Sequence, residues 1–195
     1  MRLDSEKVLP RSFYGRDTAT VAREMLGKRL IRRFEGVSME GIIVETEAYY
    51  GLQDPASRAF SGRKNYNKNM WEEPGRAFIY NVHKYWMFNV VAHEPGEIGA
   101  VLVRAVEPTR GVEMMLRNRP VEDSRGLTSG PGKLTIAFGM GKGLHGQDVT
   151  DPASEVYIVD GALEHEIGTS RRIGVTRDLD VDLRFFAKGS PYVSR

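Results

Sequence analysis

Two carboxylates and an aromatic ring occupy alternate positions of one apolar, β-branched segment, residues 42–50. Side chains of a strand alternate between its two faces, so we expect Glu45, Glu47 and Tyr49 to project to one side. The opposite face would then be formed by Val44, Thr46 and Ala48. A face with two acids and a ring is poor core material. It suits a site that binds a planar molecule on the ring and uses the carboxylates for acid–base or charge-stabilising chemistry.

Paired carboxylates have several uses, and the pattern alone leaves them open. Glycosidases place two acids beside the bond that they cleave. Residues i and i+2 of a strand lie about 6.6 to 6.8 Å apart, which does not fix the separation of the carboxyl groups. A simpler interpretation makes this face an ordinary solvated surface of a sheet.

Two further features favour the functional interpretation. Arg104 lies within the apolar segment 100–106. A buried guanidinium is costly unless it is paired, so we expect Glu45 or Glu47 to be its partner. A second segment is rich in aromatic residues, namely Phe78, Tyr80, Tyr85, Trp86 and Phe88.

The elements that must position these residues are mostly strands. We predict strands at residues 28–34, 39–49, 77–83, 85–92, 100–106, 156–160, 172–175 and 183–187, and helices at 18–28, 109–117 and 131–139. Asp17 is placed to cap the first helix, and Glu35-Gly36 to form a turn. Strands follow one another with few intervening helices. We therefore predict an α+β fold, one compact domain over residues 1–195, with a largely antiparallel sheet, flanking helices and a projecting β-hairpin.

Composition excludes several classes of protein. The 195 residues suffice for one well-buried domain, and the absence of cysteine excludes disulfides and thiolate metal sites. The four histidines are too far apart for a short zinc motif, so we expect no metal. The first residues lack the apolar run of a signal peptide, and no apolar stretch could span a bilayer. We expect an intracellular protein without a membrane partner, in the cytoplasm or nucleoid.

Charge is distributed unevenly along the chain. Residues 1–147 hold 22 Lys and Arg against 17 Asp and Glu, whereas residues 148–182 hold 9 acids and 3 arginines. The formal net charge of +2 conceals this asymmetry. It is compatible with a polyanionic partner such as nucleic acid, although the charges could equally solvate opposite faces of the molecule.

Short motifs of a known protein family are distributed over nearly the whole chain. They are LPRSFY (9–14), IVETEAY (43–49), DPAS (54–57), LVRAVEP (102–108), SGPGKL (129–134), RIGV (172–175), LRF (183–185) and GSPYVS (189–194). In order and spacing, this set resembles the alkyladenine (3-methyladenine) DNA glycosylase family of base-excision repair. The resemblance implies a monofunctional enzyme that flips alkylated purines out of duplex DNA and hydrolyses the N-glycosidic bond, leaving an abasic site. It also implies double-stranded DNA with damaged bases as the partner, no cofactor and a monomer.

The resemblance assigns roles to the catalytic residues. Glu47 matches the general base, which deprotonates a water and stabilises the oxocarbenium-like sugar. Arg104 matches the arginine that helps to hold this water, and the backbone carbonyl of Ile173 falls where the family supplies a further contact. Glu45 becomes the structural acid of the pair. No lysine lies in the matching catalytic segments, so a lyase step is not implied.

The resemblance also implies a pocket for the flipped base. Tyr49 and Tyr80 match the rings between which the base stacks, and a ring face attracts the positive charge of N3- or N7-alkylated purines. Asn89 matches the asparagine beneath the pocket that discourages normal guanine. Packing in the core is the simpler interpretation for each of these three residues.

DNA contacts are expected on the hairpin and on the long connection of residues 51–75. His83 aligns with the side chain that intercalates into the duplex at the hairpin tip. The other expected DNA-contacting residues are Arg63, Lys64, Tyr66, Lys68, Met70, Arg76 and Lys84. Ordinary surface charge is the alternative for the basic members of this set.

The chain departs from the family pattern at three places. Arg58 replaces a histidine after DPAS, His83 replaces a tyrosine, and residues 64–67 replace an arginine-containing stretch. A permanently charged guanidinium cannot reproduce a neutral imidazole, and it would repel a cationic base. We hypothesise a narrower or shifted lesion range, in which cationic 3-methyladenine is retained and neutral hypoxanthine is in doubt.

Two other functions fit the same residues. A lesion-binding module of this fold would recognise damaged DNA without cleaving it. A carbohydrate hydrolase would use Glu45 and Glu47 as its acid pair, in an open groove without affinity for DNA.

Overall fold

The strands of the structure, a computed structural model that describes residues 7–194, all join one antiparallel sheet. They are β1 (Arg29–Phe34), β2 (Val37–Tyr50), β3 (Ala77–Val82), β4 (Tyr85–Val91), β5 (Gly99–Arg110), β6 (Val156–Val159), β7 (Ile167–Ser170) and β8 (Arg184–Ala187). The helices are α1 (Arg11–Tyr14), α2 (Thr18–Glu24), α3 (Val112–Asn118) and α4 (Pro131–Ala137), with 3-10 turns at Lys68–Trp71, Ser124–Gly126 and Lys142–Leu144. The predicted α+β class with an antiparallel sheet is confirmed.

Strand β2 is the centre of this sheet. The spatial order is β3-β4-β5-β2-β1-β6, with β8 joining β2 and β7. One edge of β2 pairs with β5, while the other pairs first with β1 and then, from Glu45 to Glu47, with β8. Both edges of the acid-bearing segment are therefore fixed by hydrogen bonds to neighbouring strands.

Helix α2 covers one face of β2 and β5, and its apolar residues Val21 and Ala22 are completely buried. Asp17 caps this helix as predicted, because its side chain accepts a hydrogen bond from the Thr20 N–H at 2.8 Å. The hydroxyl of Thr46 donates to the Ala22 carbonyl at 2.7 Å. The helix therefore contacts β2 at Thr46, which lies between the two glutamates in the chain.

The predicted alternation along β2 slips by one residue. Ile43 and Ala48 belong to the main core, whereas Val44 packs with Ala105 and Ala187 in a separate cluster. The reason is an irregularity in the ladder to β5, with register shifts between Ile43 and Glu45 and between Glu45 and Thr46. The expectation that Val44 shares a face with Thr46 and Ala48 is wrong.

Several predicted elements differ in extent or position. Helix α2 ends at Glu24 instead of residue 28, because the Gly27 N–H already pairs with the Ile43 carbonyl and starts the sheet. Strand β5 runs on to Arg110, so α3 begins later than predicted, after Gly111 with a positive φ of 71°. Residues 172–175 do not form a strand, and β7 lies just before them.

No helix in residues 7–194 is both long and apolar enough to cross a membrane.

Candidate active site

An interruption in the pairing of β5 turns Arg104 toward both glutamates. Glu45 pairs with Ala105 and Thr46 with Val103, so Arg104 has no partner of its own in the ladder. Such bulges re-aim side chains and are frequent at functional sites. The Arg104 Nε donates to Glu45 Oε1 at 2.9 Å, and Nη1 lies 3.2 Å from Glu47 Oε2. The predicted ion pair is confirmed, and it involves both acids.

Glu45 is held by donors on every side. Its Oε1 accepts hydrogen bonds from Arg104 Nε, from Arg184 Nε at 2.7 Å and from the Ser194 hydroxyl at 2.8 Å. Its Oε2 accepts from the Ser194 N–H at 2.7 Å. The carboxylate is completely buried, and these contacts tie β2 to β8 and to the C-terminal segment. A carboxylate so occupied is suited to a structural role.

Glu47 is also completely buried, but the residues that donate hydrogen bonds to its carboxylate also line a cavity. Oε1 accepts from the Ile173 N–H at 2.8 Å, and Oε2 accepts from the Tyr49 hydroxyl at 2.7 Å. Ile173 thus contacts Glu47 through its amide N–H, and the further contact that the resemblance assigns to its carbonyl stays a prediction. Tyr49, Arg104 and Ile173 line the cavity, whereas Glu47 is not among the lining residues. The acid is therefore connected to the cavity through these three donors.

The protonation states of these donors follow from burial and charge. Burial alone would lower the pKa of Arg104, but the charges of Glu47 and Glu45 raise it above its ordinary value. Burial, and then the charge of Glu47, raise the pKa of Tyr49. Arg104 therefore stays charged and Tyr49 stays protonated, so each can donate to Glu47 at neutral pH.

The cavity has a volume of about 410 Å³ and is partly aromatic. Tyr49 and Tyr80 both line it, although they lie on different strands. Burial raises the pKa of Tyr80, so both rings are neutral phenols. The volume and the two rings suit a flat aromatic ligand.

Asn89 borders a small void together with the two rings. It is 2% exposed, and the void that it shares with Tyr49 and Tyr80 measures about 10 Å³. Its Nδ2 donates to the carbonyls of Phe78 and Met87 at 3.0 and 3.2 Å. The side chain is therefore fixed near the two rings, but it is not among the residues that line the cavity.

Arg58 is an exposed residue at the cavity, and its guanidinium lies over a ring. The Arg58 Cζ is 4.7 Å from the centroid of Tyr80, a cation–π distance. Arg58 also lines the cavity. A permanent positive charge therefore already contacts a ring that is expected to bind cationic bases.

A second arginine supports the other ring, and the sequence did not reveal its role. The Arg172 Cζ lies 4.6 Å from the centroid of Tyr49. Its two Nη atoms bind both oxygens of Asp54 at 2.6 and 2.8 Å, and Nη1 donates to the Ala48 carbonyl at 2.9 Å. Both side chains are completely buried. Arg172 and Asp54, which lie 118 positions apart in two of the motifs, thus form an ion pair next to the Tyr49 ring.

Asp54 organises the start of the long connection. Its Oδ2 accepts from the Tyr50 N–H at 2.9 Å and its Oδ1 from the Ala56 N–H at 3.0 Å. Asp54 lies within the motif DPAS and Arg172 within the motif RIGV. Both motifs could be identified in the sequence, but nothing there showed that the two side chains form an ion pair.

The hairpin tip presents the predicted intercalating residue. His83 is exposed and has a positive φ of 52°, and its carbonyl accepts from the Asn81 Nδ2 at 3.2 Å. Lys84 is exposed beside it. The expected projecting hairpin is therefore present, with residues 83 and 84 forming its turn.

The residues expected to contact DNA divide into two groups. Those with exposed side chains are Arg63, Lys64, Tyr66, Lys68 and Lys84. Met70 is 1% exposed and packs against Ala59 and Phe78, so its prediction as a DNA contact is wrong. Arg76 lies 3.5 Å from a Glu73 oxygen and 3.8 Å from an Asp148 oxygen. Its charge is therefore partly neutralised within the protein.

Within residues 7–194, no three His, Asp or Glu side chains are grouped so that they could hold a metal ion.

Comparisons with known proteins agree on one family. Residues 12–191 match the family described as methylpurine-DNA glycosylase. A protein of Aeropyrum pernix is 38% identical over 192 residues, which cover 97% of this chain and 94% of that protein. A protein of Koribacter versatilis is 40% identical (95% and 92% covered), and one of Methanoculleus marisnigri is 41% identical (96% and 98% covered). All three carry the name "Putative 3-methyladenine DNA glycosylase".

Proposed function

This chain belongs to the methylpurine-DNA glycosylase family, and we propose that it excises alkylated purines from DNA by hydrolysing the N-glycosidic bond. The observation that supports this most directly is the setting of Glu47. A buried carboxylate is held by Tyr49, Arg104 and Ile173, and all three also line a cavity with two aromatic rings.

The cavity accepts the base after it leaves the duplex. A base inside the helix cannot expose its glycosidic bond to Glu47, so the nucleotide must rotate out of the stack. The faces of Tyr49 and Tyr80 then attract a purine whose alkylation at N3 or N7 has made it cationic. Because both phenols are neutral, neither adds a charge of its own.

Glu47 acts as the base for a water molecule. Arg104 contacts Glu47 and also lines the cavity, so it would hold the attacking water beside this carboxylate. As the bond from C1′ to the purine nitrogen breaks, its electron pair leaves with the purine, and the sugar becomes oxocarbenium-like. The negative charge of Glu47 stabilises this cation. The water oxygen then bonds to C1′, and its proton passes to Glu47.

An alkylated cationic purine leaves as a neutral molecule, so this scheme needs no acid to protonate it. No lysine is among the residues lining the cavity, in the part of the chain that the structure describes, which supports simple hydrolysis without a Schiff base. The products are the free base and an abasic site.

The test is excision by Glu47→Gln on a duplex with one 3-methyladenine. We expect abasic-site formation to fall about 10²- to 10⁴-fold, the usual contribution of a general base, while affinity for the duplex is retained. Glu40→Gln is a matched control, because Glu40 is a buried acid of the same strand that pairs with Arg29 at 2.8 Å. Equal losses in both variants would contradict the assignment.

Lesion binding without cleavage is a second candidate function. The full burial of Glu47 favours it, since the carboxylate itself is not among the residues that line the cavity. In that case the wild-type protein would bind lesion duplexes tightly and form no abasic sites at any enzyme concentration.

Arg58 bears on the range of lesions. Its charge beside Tyr80 would repel a cationic base unless the exposed side chain turns away. We propose that 3-methyladenine is still excised, because its positive charge makes it a good leaving group without an acid, and that neutral hypoxanthine, which lacks this advantage, is excised poorly. Comparable rates for the two lesions in matched duplexes would refute this proposal.

A further inference from the structure

A second, larger groove adjoins the glutamate cavity. Its volume is about 680 Å³, and it shares Arg58 and Tyr80 with the cavity. Three aromatic side chains line it, Tyr66, Tyr80 and Trp86, together with three permanent cations, Arg58, Lys68 and Lys142. None of the described residues lining it is an acid. This composition is complementary to a ligand that is both planar and anionic.

The positive charges in the groove are available to a ligand. Lys68 and Lys142 are exposed, and neither forms an ion pair with another residue in the range 7–194. Tyr66 is 44% exposed, so its ring is accessible to a ligand. The free ring and the free ammonium groups lie on the same surface.

The walls of the groove are held in place. Buried Asn67 fixes the segment that bears Tyr66 and Lys68, because its Nδ2 donates to the Arg58 and Gly62 carbonyls at 2.7 and 3.0 Å. The Trp86 carbonyl accepts from the Thr135 hydroxyl at 2.8 Å. The groove is thus a preformed feature and needs little ordering on binding.

We propose that this groove binds an unpaired nucleotide of a DNA strand, next to the base-flipping cavity. A base within a duplex has both faces stacked and cannot lie on a ring, whereas an unpaired base can. Stacking on Tyr66 and Trp86 would bind the base, while Lys68 and Lys142 would bind the adjoining phosphates. The inference rests on the proposed function for its biological setting, but its test requires no excision.

The test uses oligo-dT, which contains no purine and hence no substrate for the glutamate site. In the variant Trp71→Phe, Trp86 is the remaining tryptophan, and we expect its fluorescence to be quenched by bound oligo-dT. Tyr66→Leu keeps apolar bulk but removes the ring, and it should weaken binding at least about fivefold. Lys68→Ala with Lys142→Ala should reduce the slope of log K against log salt by about 1.4, or 0.7 per phosphate.

Matched controls separate this groove from general attraction of DNA. Arg23 and Arg117 are exposed residues of α2 and α3 that do not line the groove. The double variant Arg23→Ala, Arg117→Ala removes the same charge and should change the slope by much less. Equal slopes in the two double variants, unchanged binding by Tyr66→Leu, or constant Trp86 fluorescence would each overturn the proposal. A protein that binds oligo-dT as expected but excises nothing would refute the proposed function alone.

Discussion

The two glutamates of β2 differ in what surrounds them. Glu45 accepts hydrogen bonds from Arg104, Arg184 and both donors of Ser194, and none of these bonds needs a ligand. Glu47 is bound by groups that also face the cavity. Glu45 is thereby suited to a structural role, and Glu47 is suited to a chemical one.

This difference predicts opposite effects on stability and activity. Glu45→Gln should lower the free energy of unfolding by about 3 to 5 kcal/mol, because the buried guanidinium of Arg104 and the partly buried guanidinium of Arg184 lose their shared counter-charge. Glu47→Gln should be less destabilising but should lose more activity per folded molecule. Urea denaturation combined with active-site titration measures both quantities, and the reverse order would contradict the assignment of roles.

At the scale of elements, the site depends on loops that are fastened to β2. The segment after β7 contributes Ile173 to Glu47 and Arg172 to Asp54. The connection after β2 is held near its start by Asp54, which accepts a hydrogen bond from the Tyr50 N–H. The buried ion pair between Arg172 and Asp54 therefore connects the segment after β7 with the segment after β2, next to the Tyr49 ring.

Arg172→Lys tests this connection. Lysine keeps the charge but cannot bind both Asp54 oxygens or lie flat over Tyr49. We expect a loss of about 1.5 to 3 kcal/mol in unfolding free energy, together with faster proteolysis near residue 173 and weaker lesion binding. Arg171→Lys is the control, because Arg171 is exposed and pairs with the exposed Asp180. Unchanged proteolysis in Arg172→Lys would exclude a fastening role.

The cap of α2 gives a prediction that depends on pH. Burial alone would raise the pKa of Asp17, but hydrogen bonds from Thr20 and from the Tyr50 hydroxyl lower it below its ordinary value. Its ionised form therefore adds stability above about pH 4, and this is lost as the pH falls through the lowered pKa. Asp17→Asn keeps a capping oxygen but does not titrate.

The measurement is the unfolding free energy of both proteins between neutral and acidic pH. Wild type should be more stable than Asp17→Asn at pH 7, and the two should converge as the pH falls below about 4. A difference that stays constant with pH would show that the charge of Asp17 does not contribute.

At the scale of the whole molecule, the arrangement of charges matters more than their sum. The exposed cations around the hairpin and the long connection include Arg63, Lys64, Lys68 and Lys84. Arg76 lies in the same part of the chain but is paired with acids. The net charge of +2 does not distinguish these cases.

The salt dependence of duplex binding should distinguish them. Lys64→Ala with Lys84→Ala should reduce the slope of log K against log salt by about 0.9 for each phosphate contact that is lost. Arg76→Ala should leave the slope nearly unchanged. Fluorescence anisotropy between about 50 and 200 mM salt gives both slopes. A larger change in Arg76→Ala would show that its ion pairs open on DNA.

The sequence determined the local features of this protein well. Alternation of side chains predicted the acid strand, Asp17 predicted the start of α2, and the short loop at residues 83–84 predicted the hairpin. These features depend on residues close together in the chain. The family motifs also indicated Glu47 and Arg104, but the burial of Met70 and the ion pairs of Arg76 could not be inferred from residue types.

Only the tertiary structure decided how the acid strand works. The slip between Ile43 and Thr46, the turn of Arg104 toward both acids and the meeting of Arg172 with Asp54 all depend on which distant segments pair with β2. Local periodicity cannot encode such contacts, because their energy comes from burial and from partners 59 residues away for Arg104 and Glu45 and 118 residues away for Arg172 and Asp54. The alternating pattern therefore supplied two equivalent glutamates, to which only the family resemblance gave different roles, and the packing around them shows how their surroundings differ.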